Sequence, residues 1–203
     1  MIAIIDYDVG NLGAVANMLT RIGAKCAITN EAGVIGDATG ILLPGNGSYD
    51  ACVRGLHATG LLPLIERKVL TEKVPLLGIC VGAQMLGRGS EEGKEAGLGW
   101  IDMDVRRLPD LPGLRVPHMG WTEVRVTRPD DALGRGVEER SRFYFVHSFY
   151  LAPARRQDVL LEAHYGIDFA AAVASGNIYG VQFHPEKSHR FGKALLRAFA
   201  GLC

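Results

Sequence analysis

Three side chains of this 203-residue chain have the chemistry of covalent catalysis: Cys80, His184 and Glu186. Cys80 sits in "PLLGICVGAQ", between Gly78 and Gly82, at the end of an apolar run. "GICVG" has the form of a nucleophile elbow, with sulfur in place of the usual serine oxygen. Such an elbow turns a strand sharply into a helix. Side chains two positions from the nucleophile would collide there, which is why glycine is needed on both sides. The helix that follows would direct its first N–H groups at the sulfur and favour the thiolate. The backbone N–H of Val81 would then lie where an oxyanion forms. A buried core thiol in a glycine-rich strand end fits the same five residues, and the pentapeptide alone leaves both open.

A thiolate nucleophile needs a base, and the base needs something to orient it. Of the six histidines, His184 in "VQFHPEKS" has Glu186 two residues on. In an extended segment residues i and i+2 share a face, and Pro185 keeps His184 out of a helical conformation. A carboxylate can thus hold one imidazole nitrogen and leave the other for sulfur. The plain alternative is a strand-end histidine beside a surface glutamate. A metal set of His184, Glu186 and His189 lacks any strong zinc spacing, so neither metal nor cofactor is expected. Gln84 lies four residues after Cys80 on the same face of the elbow helix, either toward the site or as an ordinary polar helix residue. In "LPGNGSYD" the segment around Asn46 and Gly47 can expose backbone N–H groups in a concave loop and supply a second oxyanion donor. It can equally be a common strand-to-helix loop.

These side chains need a scaffold of α/β type. "IAII" (2–5) is an apolar strand, and "NLGAVANMLTRIG" (11–23) has the apolar period of a half-buried helix that stops at Gly23. "AKCAIT", "GILLPG" and "VPLLGIC" read as further strands, with "YDACVRGL" and "LLPLIERKVL" as helices between the last two. The predicted order is strand, helix, strand, strand, helix, strand, helix, which argues for a mainly parallel sheet covered on both faces. The second half, from "GLGWIDMDVRRL" through "TEVRVT", "RFYFVHSFYLA", "DVLLEAHYG" and "DFAAAVAS" to "IYGVQFHPE", is strand-rich, with a hairpin turn at "SGN" (175–177). A last helix covers 188–202, with Ser188 as its N-cap. One domain over 1–203, with antiparallel strands added to a parallel core, is the simplest organisation.

Lys and Arg together number 22 and so do Asp and Glu, which argues against an electrostatic hold on nucleic acid or anionic lipid. No run approaches the roughly 18 apolar residues of a membrane span. The first residues lack the pattern of a signal peptide. The four cysteines (26, 52, 80, 203) are scattered without a CxxC pair, as expected for free thiols in a reducing cytoplasm.

Taken together, "PGNG", "GICVGAQ" and "HPE", in this order, resemble a class I (triad) glutamine amidotransferase. "IIDYDVGNLGAVANML", "PHMGW", "FYFVHSFY" and "VQFHPEKSHRFG" narrow the resemblance to the glutaminase subunit family of imidazole glycerol phosphate synthase, over residues 2 to about 192. The resemblance implies a flavodoxin-like α/β fold and hydrolysis of L-glutamine to glutamate and ammonia. Cys80 would attack the amide carbon, His184 would serve as acid and base, and Glu186 would hold His184. Val81 and the Asn46–Gly47 segment would stabilise the oxyanion, and Gln84, Glu92, Ser148 and Phe149 would hold the substrate. It further implies a heterodimer with a (β/α)8-barrel cyclase that receives the ammonia for imidazole glycerol phosphate and AICAR formation in histidine biosynthesis. Asn11, His118, Met119, Trp121, Tyr144 and Lys187 would lie at or near that interface. Paralogues of the subunit feed a sugar amidotransferase in surface-polysaccharide synthesis, and "YGIDFAAAV" and "NIYGVQFHPEKSHRFG" look closer to those. Departures from the family pattern fall at Asp8, Asn46, Val81, Ala83 and Thr122, none of them in the triad. Another cysteine hydrolase of the same fold, or a non-catalytic relative, remains as a competing class.

Overall fold

A computed structural model describes residues 1–203. The first half alternates as the apolar runs demand: β1 (Ile2–Ile5), α1 (Leu12–Arg21), β2 (Cys26–Thr29), α2 (Ala32–Gly36), β3 (Gly40–Gly45), α3 (Tyr49–Ala58), α4 (Leu62–Glu66), β4 (Leu76–Cys80) and α5 (Val81–Gln84). The second half supplies β5 (Met103–Arg107), β6 (His118–Val126), β7 (Arg142–His147), β8 (Phe149–Pro153), β9 (Val159–Tyr165), β10 (Ile167–Ser175), β11 (Ile178–Val181) and α6 (His189–Ala200).

One sheet runs β2-β1-β3-β4-β11-β10-β9-β6-β7, with β8 joining β10 to β5. The β2-β1-β3-β4-β11 stretch is parallel, and the rest is antiparallel. Every residue of β1, β3, β4 and β11 is buried, the condition under which continuous apolar strands persist in a parallel sheet. No helix is long and apolar enough to cross a membrane.

Several expectations of the sequence are refined. Gly23 (φ 82°) stops α1: its N–H donates to Thr20 and the next N–H to Leu19, a Schellman arrangement. The turn at Gly176–Asn177 joins β10 to β11 as expected. α2 was not foreseen, because five residues with a glycine at each side of Val34–Ile35 present no helical period. "RFYFVHSFYLA" is two strands. It breaks at Ser148, whose carbonyl accepts the Leu108 N–H, and β8 then leaves to pair with β5. Ser188 holds the N-cap position of α6, but its side chain makes no capping hydrogen bond. Its hydroxyl donates to the His184 carbonyl at 2.6 Å and accepts the Tyr144 N–H at 3.0 Å. It therefore fastens the "HPE" segment to β7. Gly192 lets α6 lie against that segment, since a Cβ there would stand 1.8 Å from the Pro185 carbonyl oxygen.

Candidate active site

The C-terminal ends of β3, β4 and β11 lie side by side, the edge where parallel α/β sheets present their ligand crevice. Gly45 is the register partner of Cys80, and Ile79 that of Val181. The "PGNG" loop therefore borders Cys80 on one side, and "QFHPE" leaves the sheet on the other.

Cys80 has φ 54° and ψ −114°, a strained conformation for a residue with a side chain. The glycines around it are required by close backbone approach. A Cβ on Gly78 would stand 2.7 Å from the Gly82 carbonyl oxygen, and one on Gly82 would stand 1.8 Å from that of Leu43. The helix expected after the elbow is a single turn, α5, so its dipole contributes less than a full helix would. It ends at Gln84, and three residues on, the Gly87 backbone lies against Met103, where a Cβ would meet the carbonyl oxygen at 2.7 Å.

His184 and Glu186 are both buried, with Nδ1 2.8 Å from Oε1. Burial works to lower the His184 pKa. The hydrogen bonds to Cys80 and Glu186, and the negative charge of both, outweigh it and raise it to about 9. The imidazolium is thus the favoured form beside the sulfur.

A cavity of about 240 Å³ opens over Cys80, below the roughly 300–1,000 Å³ of drug-sized pockets and suited to a small ligand. Its wall brings together Asn46, Gly47, Cys80, Val81, Gln84, Glu92, Ser148 and Phe149, all singled out from the sequence. Pro117, Val146 and His147 complete it. Gln84 donates from Nε2 to the Phe149 carbonyl (3.2 Å) and to Gln182 Oε1 (3.1 Å). Its Oε1 is buried without a partner, as is Oε2 of Glu186. Partial burial raises the pKa of the Glu92 carboxyl, the Tyr49 N–H opposes this, and the Asp50 charge adds to it. Asp50 holds the Glu92 loop by accepting the N–H groups of Lys94 (2.9 Å) and Glu95 (3.0 Å). The Gly47 N–H is engaged: it donates to the Asn46 side-chain oxygen at 3.0 Å. No group of three or more His, Cys, Asp or Glu could hold a metal ion.

Sequence reasoning missed Gln182 and Asp50. Gln182 is fully buried, and its Nε2 donates toward the Cys80 sulfur at 3.9 Å. A lone glutamine inside the apolar run "IYGVQF" was the available signal, because a buried polar side chain requires partners.

Beside the site, Met119 and Trp121 are 63% and 44% exposed, so Trp121 is not strand core. Its ring stacks on His189 and meets the half-buried Tyr144 edge-on, with the Lys187 ammonium 6.0 Å over the Tyr144 ring. Asn11 is exposed at the start of α1. His118 departs from the expected interface set. It is buried, stacked between Phe145 and Tyr165, because alternation along β6 turns it inward while Met119 and Trp121 face out.

Burial lowers His118 to about 4. Burial likewise lowers His147 to about 3, opposed by the Phe149 carbonyl and reinforced by the charges of His118 and His184. The unfolded chain binds protons on these two rings first, so their contribution to stability is present above pH 6.5 and is lost as pH falls toward 4 and below. His184 acts in the opposite sense: its contribution is present below pH 6.5 and is lost as pH rises through about 9. Thermal unfolding should therefore peak near neutrality and fall on both sides. His184→Asn should flatten the alkaline limb. A melting temperature unchanged from about pH 5 to about pH 9 would contradict these shifts.

The glutamine amidotransferase class-I family matches residues 3–201, and the chain belongs to it. Within that family the chain is similar along its whole length to imidazole glycerol phosphate synthase subunit HisH 2 of Pseudomonas aeruginosa, at 47% identity over 100% of both chains. It is 46% identical to imidazole glycerol phosphate synthase subunit HisH of Moorella thermoacetica, over 99% of this chain and 94% of the relative. A crystal structure described as a glutamine amidotransferase superposes with a TM-score of 0.77 at 19% identity, over 100% and 98% of the two chains, which is a likeness of fold.

Proposed function

We propose that the chain is the glutaminase subunit of an imidazole glycerol phosphate synthase, hydrolysing L-glutamine and passing the ammonia to a cyclase subunit for histidine biosynthesis. The observation that carries the chemistry is a strained, buried Cys80 beside a buried His184 that is itself held by Glu186 at 2.8 Å. The relatives at 44–47% identity support the pathway.

In this reading the Cys80 thiolate attacks the carboxamide carbon, and the Val81 N–H receives the developing oxyanion. Gly47 or Asn46 supplies a second N–H once the Asn46 side chain turns away from the Gly47 amide. His184, protonated beside the sulfur, gives its proton to the departing ammonia and leaves a thioester. The neutral imidazole then takes a proton from water, which attacks the thioester and releases glutamate and the free thiolate. Glu92 offers an acceptor for the substrate ammonium, beside Gln84, Ser148 and Phe149 in the cavity wall.

The partner is a (β/α)8-barrel cyclase docked on the face that carries Met119, Trp121, Tyr144, Lys187 and Asn11. Exposed aromatic and methionine side chains are what an interface core uses. Direct transfer keeps ammonia from protonation in solvent, where it would cease to be a nucleophile. The chain acts as one domain, and its free thiols fit a reducing cytoplasm.

The test is glutamate release from L-glutamine by the chain alone and with a candidate cyclase. Stimulation by the cyclase and its substrate is expected, with glutamine nitrogen recovered in the cyclase product. Stimulation by a sugar amidotransferase instead would move the acceptor to polysaccharide synthesis. No glutamate release with either partner would overturn the glutaminase assignment itself.

A further inference from the structure

Two histidines outside the reaction form a buried polar chain between β6 and the pocket. His118 and His147 are register partners across β6 and β7. His147 Nδ1 lies 2.9 Å from the Phe149 carbonyl oxygen. That oxygen can only accept, so Nδ1 carries the proton and Nε2 is bare. His147 Nε2 lies 2.9 Å from His118 Nδ1, which must therefore donate. His118 Nε2 is then bare in turn, 2.8 Å from the Thr122 hydroxyl, which must donate to it. Burial keeps both rings neutral at ordinary pH. The direction of donation is thus fixed from Thr122 through His118 and His147 to the Phe149 carbonyl.

The same carbonyl accepts from Gln84, whose second donation goes to Gln182. With its Nε2 committed to these two acceptors, Gln84 has one orientation in the cavity wall, and its Oε1 stays buried without a partner.

We propose that Thr122, His118 and His147 are positioning residues for the substrate pocket: their one-way chain of hydrogen bonds holds the Phe149 carbonyl where it fixes Gln84 in the pocket wall. This rests on the glutamine-binding role of the pocket. Without the Thr122 hydroxyl, His118 Nε2 is a buried acceptor with no donor, which is costly. The ring must shift to reach another donor, and His147, hydrogen-bonded to it, is drawn away from the Phe149 carbonyl, which loosens the anchor of Gln84. Thr122 directly follows the exposed Trp121 on the same strand, so the chain begins beneath the face proposed for the partner.

The test compares the parent with Thr122→Val, which keeps the shape and removes the hydroxyl, and Thr122→Ser, which restores a donor. A glutamine-shaped chloroketone reports occupancy of the pocket before it alkylates Cys80, and iodoacetamide reports the nucleophile alone. Thr122→Val should raise the half-saturating chloroketone concentration, and the KM for glutamine, about tenfold, as expected for one lost hydrogen bond. kcat and the iodoacetamide rate should stay within about twofold, and Thr122→Ser should recover most of the loss. Imidazole 15N NMR of the parent should show Nδ1–H on both rings. An Nε2–H tautomer on either ring of the parent, or an unchanged half-saturation in Thr122→Val, overturns the proposal. A parent that shows no saturation with the chloroketone points instead at the glutaminase reading, and the NMR signature then decides the hydrogen-bond chain by itself.

Discussion

Cys80→Ala abolishes glutamate release from L-glutamine. Removing a covalent nucleophile from a preorganised site costs on the order of 10⁶-fold in kcat, and the residual rate comes from binding and the oxyanion donors alone. The fold should survive, since Cys80 is buried at the elbow and alanine is smaller than cysteine. Cys26→Ala serves as the control, because its sulfur bonds to the Ala16 carbonyl, at 3.8 Å, and the residue does not line the pocket. Glutamate release with both variants, together with near-ultraviolet circular dichroism to verify folding, is the measurement. Substantial activity in Cys80→Ala would remove the thioester from the mechanism.

Gly82→Ala should be among the most damaging single methyl additions in the molecule. Its Cβ would meet the Leu43 carbonyl oxygen at 1.8 Å and the Leu43 carbonyl carbon at 2.8 Å. Both are backbone atoms of the fully buried β3, which cannot yield as a flexible side chain would. Either the elbow or the strand must shift, at about 3 kcal/mol or more for an overpacked site. A displacement near 1 Å at Cys80 costs about 10²-fold in rate in addition. Gly13→Ala is the control: it lies in α1 with no atom near its added Cβ, and it should gain roughly 0.5–1 kcal/mol. Urea unfolding of both variants decides it, and a Gly82→Ala protein as stable as the parent would mean that the elbow is looser than its glycines imply.

Much of this site was legible because its constraints are local. A strand buried on both faces reads as an unbroken apolar run, so β1, β3 and β4 could be placed from "IAII", "ILLPG" and "PLLGIC" alone. A backbone forced through φ 54° at Cys80 needs glycines beside it, and both stand in the sequence. His184 is extended before Pro185, but Glu186 lies in a 3-10 turn (Pro185–Lys187), so their 2.8 Å contact comes from that turn rather than from the extended segment expected. Short or compensated features escaped: α2 is too brief to show a period, and the Ser188 hydroxyl bonds to His184 and Tyr144 rather than to its own helix.

By itself, then, the sequence determined which residues could act, the elbow that strains the nucleophile and the family that uses both. The tertiary structure decided how they are wired. β4 and β11 had to become neighbours before Gln182 could bridge Gln84 and the Cys80 sulfur. The pairing of β6 with β7 turned His118 inward and set it against His147. Folding of the loop put the Asn46 side chain on the Gly47 amide. Chain stiffness and steric exclusion act over a few residues and leave their mark in local spelling. The partner and direction of a buried hydrogen bond depend on which distant strands meet and in what register, and these are fixed only when the sheet closes.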